Sequence, residues 1–229
     1  MTAPAALTER FDLLICDCDG VLVDSETLIC RIDAEELTAS GILAITTDEV
    51  VRRFTGVSQT DMWRIIEAET GRPIPPDFDG RVSERVRAAM LGGLEALPGV
   101  HAAIEALPLP RGVASGSRPD KLVHALEVTG LYGLFAPHVF SAVEVDRGKP
   151  APDLFLLAAA RMNADPARCC VVEDSIAGVT AGVAAGMTVI GFTGGSHCGA
   201  GHAARLRQAG AAAVVGGWGE IGRTISEVR

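Results

Sequence analysis

A chain of 229 residues with 20 basic against 29 acidic side chains carries a net charge of −9, a length that fits one large domain or a main domain with a smaller companion. With 48% hydrophobic and 21% charged residues it lies near the globular norm and far from disorder. The acidic balance and the 4% aromatic content exclude a general nucleic-acid binder, which needs basic surface to displace counterions and aromatic platforms for base stacking.

No run of about 18 uncharged apolar residues occurs, so no spanning helix is expected. The opening segment up to Cys16 lacks the basic leader of a secretory signal. The six cysteines form no pair of C-x-x-C knuckles and read as buried, reduced thiols. A cytoplasmic protein is expected, with no nucleic acid and no membrane among its partners.

The first apolar run, residues 11–16, reads as a strand buried on both faces and leads directly into Asp17-Cys18-Asp19-Gly20. The next 75 or so residues offer helical patterns at 26–40, 48–54, 59–69 and 78–94 and no convincing strand. That is too long for a crossover of one helix, so residues 21–97 are expected to form an inserted all-helical domain. Pro98-Gly99 then marks the return to the sheet. From there the pattern alternates: helix 102–107, strand 112–114, helix 120–129, strand 139–140, helix 153–162, strand 169–172, helix 176–185, strand 188–192, helix 203–209 and strand 212–215. Continuous rather than alternating apolar strands point to a parallel sheet with helices on both sides. The expected fold is α/β, a Rossmann-like doubly wound core of residues 1–20 plus 98–229 with the helical insertion.

Chemistry collects where these strands end. Two carboxylates, Asp17 and Asp19, close the first strand, and ionised groups beside an apolar core need compensation. In a strictly extended strand, two residues apart, they would share one side. Ser115-Gly116-Ser117 follows the second strand, suited to a phosphate oxygen next to helix N–H groups, though a Ser there is also a plain N-cap. Lys149 stands between Gly148 and Pro150 before a helix, and Glu173-Asp174 closes the strand at 169–172. Each alone has an ordinary structural reading: a surface Lys in a turn, or acidic caps of a helix N-terminus.

In this order the four segments DCDGVLVDSE, VASGS, GKPAPD and VVEDSIAGVTAGVAAGM resemble the haloacid dehalogenase superfamily of hydrolases. The insertion with Arg53-Phe54-Thr55-Gly56-Val57-Ser58 resembles the α-helical cap of its branch containing β-phosphoglucomutases and 6-phosphogluconate phosphatases. The resemblance implies Mg²⁺ and aspartyl-phosphate chemistry on a small phosphate ester. It implies metal ligation by Asp17, Asp174, the carbonyl of Asp19 and, directly or through water, Glu173. It further implies Asp17 as nucleophile, Asp19 as acid and base, and Ser115, the Gly116 amide and Lys149 on the phosphate. Arg53, Thr55 and Gly56 are the cap residues expected near the substrate.

Departures narrow the expected reaction. Asp19 is present, whereas the dehalogenases lack the second acid. Ile29 stands where the mutases carry a His, and Thr55 and Gln59 where they carry basic residues, which favours a phosphatase over a phosphosugar mutase. Residues 21–97 contain no Lys, so a Schiff-base phosphonate route is closed. A phospho-Asp signalling module would place its nucleophile after a later strand and lack the insertion. Gly194-Gly195-Ser196-His197-Cys198 with His202 lacks a fourth ligand for zinc and reads as a loop near the active-site rim. Met62, Trp63 and Ile66 read as core of the helical insertion.

Overall fold

A computed structural model describes residues 10–54, 57 and 59–228. The chain divides into two compact units, Ser25–Leu94 and the remainder. The remainder is a parallel six-stranded sheet: β1 (Leu13–Cys16), β2 (Arg111–Ser115), β3 (Val139–Ser141), β4 (Cys169–Glu173), β5 (Thr188–Phe192) and β6 (Ala213–Val215), in the order β3-β2-β1-β4-β5-β6. The chain order reverses direction at β1, which pairs with β2 on one side and β4 on the other. Such a switch point opens a crevice at the carboxyl ends of the strands, where open α/β sheets bind ligands. Every residue of β1 and β4 is buried, which explains their unbroken apolar sequences: both faces are covered.

The helices α1 (Glu26–Ala39), α2 (Thr47–Phe54), α3 (Gln59–Thr70) and α4 (Phe78–Gly93) make up the inserted unit. It has no strand among the described residues. Its core includes Met62, Trp63 and Ile66 on one face of α3, with the Trp63 ring edge-on to Phe78 at 5.1 Å. Trp63 Nε1 donates to Asp79 Oδ1 at 3.1 Å, so the indole is buried with its polar edge satisfied. Gln59 Nε2 donates to the buried Asp33 carboxylate at 3.1 Å, a tie within the same unit.

The boundaries lie a few residues inside those expected, at 24/25 and 94/95 rather than 20/21 and 97/98. The reason is pairing rather than composition: Val23 bridges Ala96 antiparallel, and the Leu97 N–H donates to the Leu22 carbonyl at 2.9 Å. The sheet unit also holds α5 (Val100–Ala106), α6 (Pro119–Val128), α7 (Tyr132–Phe135), α8 (Asp153–Arg161), α9 (Ile176–Ala184), α10 (His202–Gln208) and α11 (Trp218–Glu227). Helix α11 is additional to the elements expected from the sequence. Its Trp218, Ile221 and Ile225 are buried at helical spacing. Trp218 Nε1 donates to the Val21 carbonyl at 2.7 Å, fixing the chain just beyond the first acidic pair. Helix α9 lies close on the sheet because Gly182 leaves no side chain there; a Cβ would come 2.6 Å from Val189 Cγ2.

Candidate active site

Strand β1 stops at Cys16, so the alternation argument for Asp17 and Asp19 does not apply: the chain has left the extended path before Asp19. Gly20 makes the turn with φ +81°, a left-handed conformation that L side chains rarely adopt. The two aspartates therefore face different partners. Asp17 is 7% exposed and accepts a hydrogen bond at Oδ1 from Lys149 Nζ at 2.6 Å. Asp19 accepts at Oδ2 from Ser117 Oγ at 2.6 Å, and its Oδ1 lies 3.3 Å from Lys121 Nζ.

Lys149 is the hub of the first group. Its ammonium also donates to Glu173 Oε2 at 2.7 Å, and its side chain is only 11% exposed. Glu173, the last residue of β4, is 1% exposed, and its Oε1 accepts from both the amide and the hydroxyl of Ser175, at 2.9 and 2.7 Å. Glu173 is thus engaged at both oxygens, which makes it an anchor for Lys149 as much as a candidate ligand. The ligand atoms of Asp17, Glu173 and Asp174 come within 4.8 Å of one another, and all three residues are buried.

Three buried carboxylates against one buried ammonium leave an excess of negative charge. Burial pushes the Asp17 carboxyl well above the usual range; the Lys149 ammonium pulls against this, and Glu173, Asp174 and Asp19 add to it. Burial also works against Glu173, but Lys149 and the Ser175 hydrogen bonds outweigh it and hold Glu173 below its ordinary value. Burial would discharge Lys149, yet Asp17 and Glu173 more than compensate and raise its pKa, so it stays an ammonium ion. The donor set facing the crevice is all oxygen, which suits a hard divalent cation. The Asp174 carboxylate can sit where it does only because Gly20 has no side chain, since a Cβ there would fall 2.1 Å from Asp174 Oδ2.

Ser115 closes β2 and is 1% exposed; its Oγ accepts from the Ser117 amide at 3.0 Å. A Cβ at Gly116 would meet nothing within 4 Å, so its backbone borders open space. In the helical unit, Arg53 donates to Glu69 Oε2 at 2.5 Å and lies over the Phe54 ring at 4.7 Å. The other two expected cap residues, Thr55 and Gly56, lie outside the described residues.

Sequence reasoning did not find Ser117 and Lys121 around Asp19, or the histidine beside Asp174. His197 Nε2 lies 2.7 Å from Asp174 Oδ2, and its side chain is fully buried. The signal available was a Gly-Gly-Ser-His loop after a strand that ends at the ligand edge; nothing in its spacing specified which carboxylate it would meet.

The sheet order and the switch point define a Rossmann-like α/β fold with clustered carboxylates at the carboxyl ends of its strands. The family profile of haloacid dehalogenase-like hydrolases matches residues 11–186, and the chain belongs to that family. It is 32% identical over 189 residues to the 6-phosphogluconate phosphatase of Escherichia coli K12, covering 82% of this chain and 85% of that one. Hexitol phosphatase A of the same organism is 35% identical over 181 residues, covering 76% and 79%. A haloacid dehalogenase-like protein of unknown function from Agrobacterium tumefaciens C58 superposes with a TM-score of 0.86 at 38% identity, covering 94% of this chain and 98% of the other.

Proposed function

We propose that this chain, a phosphoric monoester hydrolase, removes phosphate from a small phosphorylated sugar or sugar acid with Mg²⁺ as cofactor and an aspartyl-phosphate intermediate. The observation that carries the reading is Lys149, held at 2.6 Å from Asp17 and 2.7 Å from Glu173, with Asp174 in the same cluster. The named phosphatases among its relatives support the substrate class. We assign residues 21–97 the role of a substrate cap. We place the protein in the cytoplasm, where its six free thiols stay reduced. Among the described residues no helix is long and apolar enough to cross a membrane.

The metal ligands in this reading are the carboxylates of Asp17 and Asp174 and the carbonyl of Asp19, with Glu173 reached directly or through water. Magnesium, when bound, cancels the repulsion between a phosphate dianion and these carboxylates. Asp17 attacks phosphorus with a carboxylate oxygen, forming the Asp17 acyl phosphate and expelling the substrate alkoxide. Asp19 protonates that alkoxide, then takes a proton from the water that attacks the intermediate. The hydroxyl of Ser115, the amide of Gly116 and the ammonium of Lys149 bind the equatorial oxygens, over which charge is spread in the transition state. Glu173 holds Lys149 in place for this.

A panel of phosphorylated sugars, sugar acids and polyols, assayed for free phosphate with and without a chelator, tests the reading. Phosphate release that needs a divalent ion is the expected result. Full activity after complete chelation, or isomerisation of a sugar phosphate without phosphate release, overturns it.

A further inference from the structure

The loop that joins β5 to α10 contributes nothing to the mechanism above, yet it is fastened at three points. The amide and hydroxyl of Thr193 donate to the Val215 carbonyl at 2.9 and 3.0 Å. The amide and hydroxyl of Ser196 donate to Asp24 Oδ1 at 3.2 and 2.8 Å. His202, at the start of α10, donates from Nε2 to the Asp174 carbonyl at 2.6 Å. Its Nδ1 accepts from Arg205 at 3.1 Å, which fixes the tautomer and keeps the ring neutral. Burial, the largest influence on it, also lowers the His202 pKa.

Between these anchors His197 reaches Asp174 Oδ2 at 2.7 Å. Asp174 is therefore gripped twice, at its backbone by His202 and at its carboxylate by His197. The glycines around the contact are there for room. A Cβ at Gly195 would lie 2.6 Å from His197 Cε1 and 2.9 Å from the Gly20 carbonyl, and one at Gly20 would lie 2.7 Å from the same carbon of His197. Two tight glycines on opposite segments thus accommodate one imidazole.

We infer that His197 is a positioning residue for the divalent ion: its Nε2–H orients the Asp174 carboxylate, so that the other oxygen faces the ion, and His202 sets the backbone from which that carboxylate projects. A hydrogen bond of this kind to a ligating carboxylate typically contributes about 10–100-fold in metal affinity. The inference rests on the metal assignment made above. The same loop also brings His197, Cys198 and His202 within 4.8 Å of one another, the grouping a zinc ion would use. With both ring nitrogens of His202 and the Nε2 of His197 already serving hydrogen bonds, the cluster is better suited to hold Asp174 than to hold an ion of its own.

Mn²⁺ is the probe, titrated into the full-length protein while the electron paramagnetic resonance signal of the free ion is followed, with Mg²⁺ as competitor. Wild type is compared with His197→Gln, whose amide nitrogen can take the place of Nε2, and His197→Asn, whose shorter side chain cannot reach. The expected result is near-wild-type affinity for His197→Gln and a loss of about 10–100-fold for His197→Asn. Equal affinities for the two variants, whether both normal or both weakened, overturn the inference, as does a wild type that binds no ion. So does stoichiometric zinc retained through dialysis by wild type and lost in Cys198→Ser, because the histidines would then be ligands themselves. Hydrolysis of an aryl phosphate by the wild type is measured in parallel. Ion binding with the expected variant pattern but no hydrolysis sinks the proposed function and leaves the role of His197 standing.

Discussion

Gly178 stands directly over the carboxylate of Glu173: a Cβ built on it would lie 2.0 Å from Glu173 Cδ and 2.1 Å from Oε2. The first turn of α9 can therefore approach the end of β4 only while that position has no side chain. The Ser175 hydroxyl, which donates to Glu173 Oε1, also accepts from the Gly178 amide at 2.9 Å, so the helix start and the site carboxylate share one cap.

Gly178→Ala is accordingly expected to displace Glu173, loosen Lys149 and lower the melting temperature, since overpacking of this kind costs about 1–3 kcal/mol. Gly222→Ala, in the middle of α11, places its Cβ 3.8 Å from Leu107 Cδ2 in ordinary contact. It should stabilise by about 0.5–1 kcal/mol. Thermal melts of the two variants should move in opposite directions, and phosphatase activity should fall only in the first. A tolerated, fully active Gly178→Ala protein would refute the packing argument.

The different partners of the two aspartates give a second expectation. Asp17→Asn should form no covalent phosphoenzyme, because a neutral amide is a poor nucleophile. Asp19→Asn should retain the first step on an activated aryl phosphate, whose leaving group needs little protonation, and then stall with phosphate on Asp17. The overall loss should be on the order of 10²–10⁴ in rate, the usual worth of positioned proton transfer. Mass spectrometry after brief reaction decides it; label on Asp19 in the wild type would reverse the roles.

Lys149→Ala leaves Asp17 and Glu173 facing each other without the ammonium that joins them. Removing one partner of a buried ion pair costs about 3–5 kcal/mol, and in the proposed mechanism loss of this donor to the transition state costs about 10²–10³ in kcat. Both effects should appear together, in chemical denaturation and in aryl phosphate turnover. Wild-type turnover in a folded Lys149→Ala protein would remove Lys149 from the mechanism.

The thiols offer a test independent of catalysis. Five of the six cysteines are buried and only Cys198 is partly exposed. Under native conditions one equivalent of an aromatic disulfide reagent should react quickly, and that equivalent should vanish in Cys198→Ser. Burial pushes Cys30 and Cys170 up to about 12 and Cys169 to about 11. Because the folded state holds these protons more tightly than the unfolded chain, their contribution to stability is complete below the thiol's unfolded value near ~8.5. It is lost as pH rises from there through about 11–12. Denaturation midpoints should therefore decline between about pH 9 and 11 beyond the drift seen in a Cys30→Ala protein.

Much of this was legible in the residues. Unbroken apolar runs gave the parallel sheet because both faces of β1 and β4 are buried. The residues that meet around Lys149 each followed such a run. What could not be read was how the chain turns after Cys16, since a period-two argument holds only while the strand lasts. The partners of Asp19 and Asp174 were equally hidden. Ser117 and Lys121 come from the turn after β2 and from α6, and His197 from the loop after β5. Such contacts depend on three-dimensional closure and leave no spacing in the sequence. Gly219 and Gly222 dilute the pattern of helix α11, yet Trp218, Ile221 and Ile225 still lie on one face.

The Asp24 amide donates to the Glu95 carbonyl at 3.1 Å and Val23 bridges Ala96, so the chain leaves the sheet unit and returns to it through adjoining backbone. For the sheet, the seventy residues of Ser25–Leu94 amount to a single loop whose ends are already clamped, and the closure penalty of such a loop grows only slowly with its length. Replacing them with a short turn should leave the strands, the acidic cluster and the His197 contact intact. The junction at Asp24 and Glu95 is thus a socket, able to accept a different insert without any redesign of the sheet or of the acidic cluster at its edge.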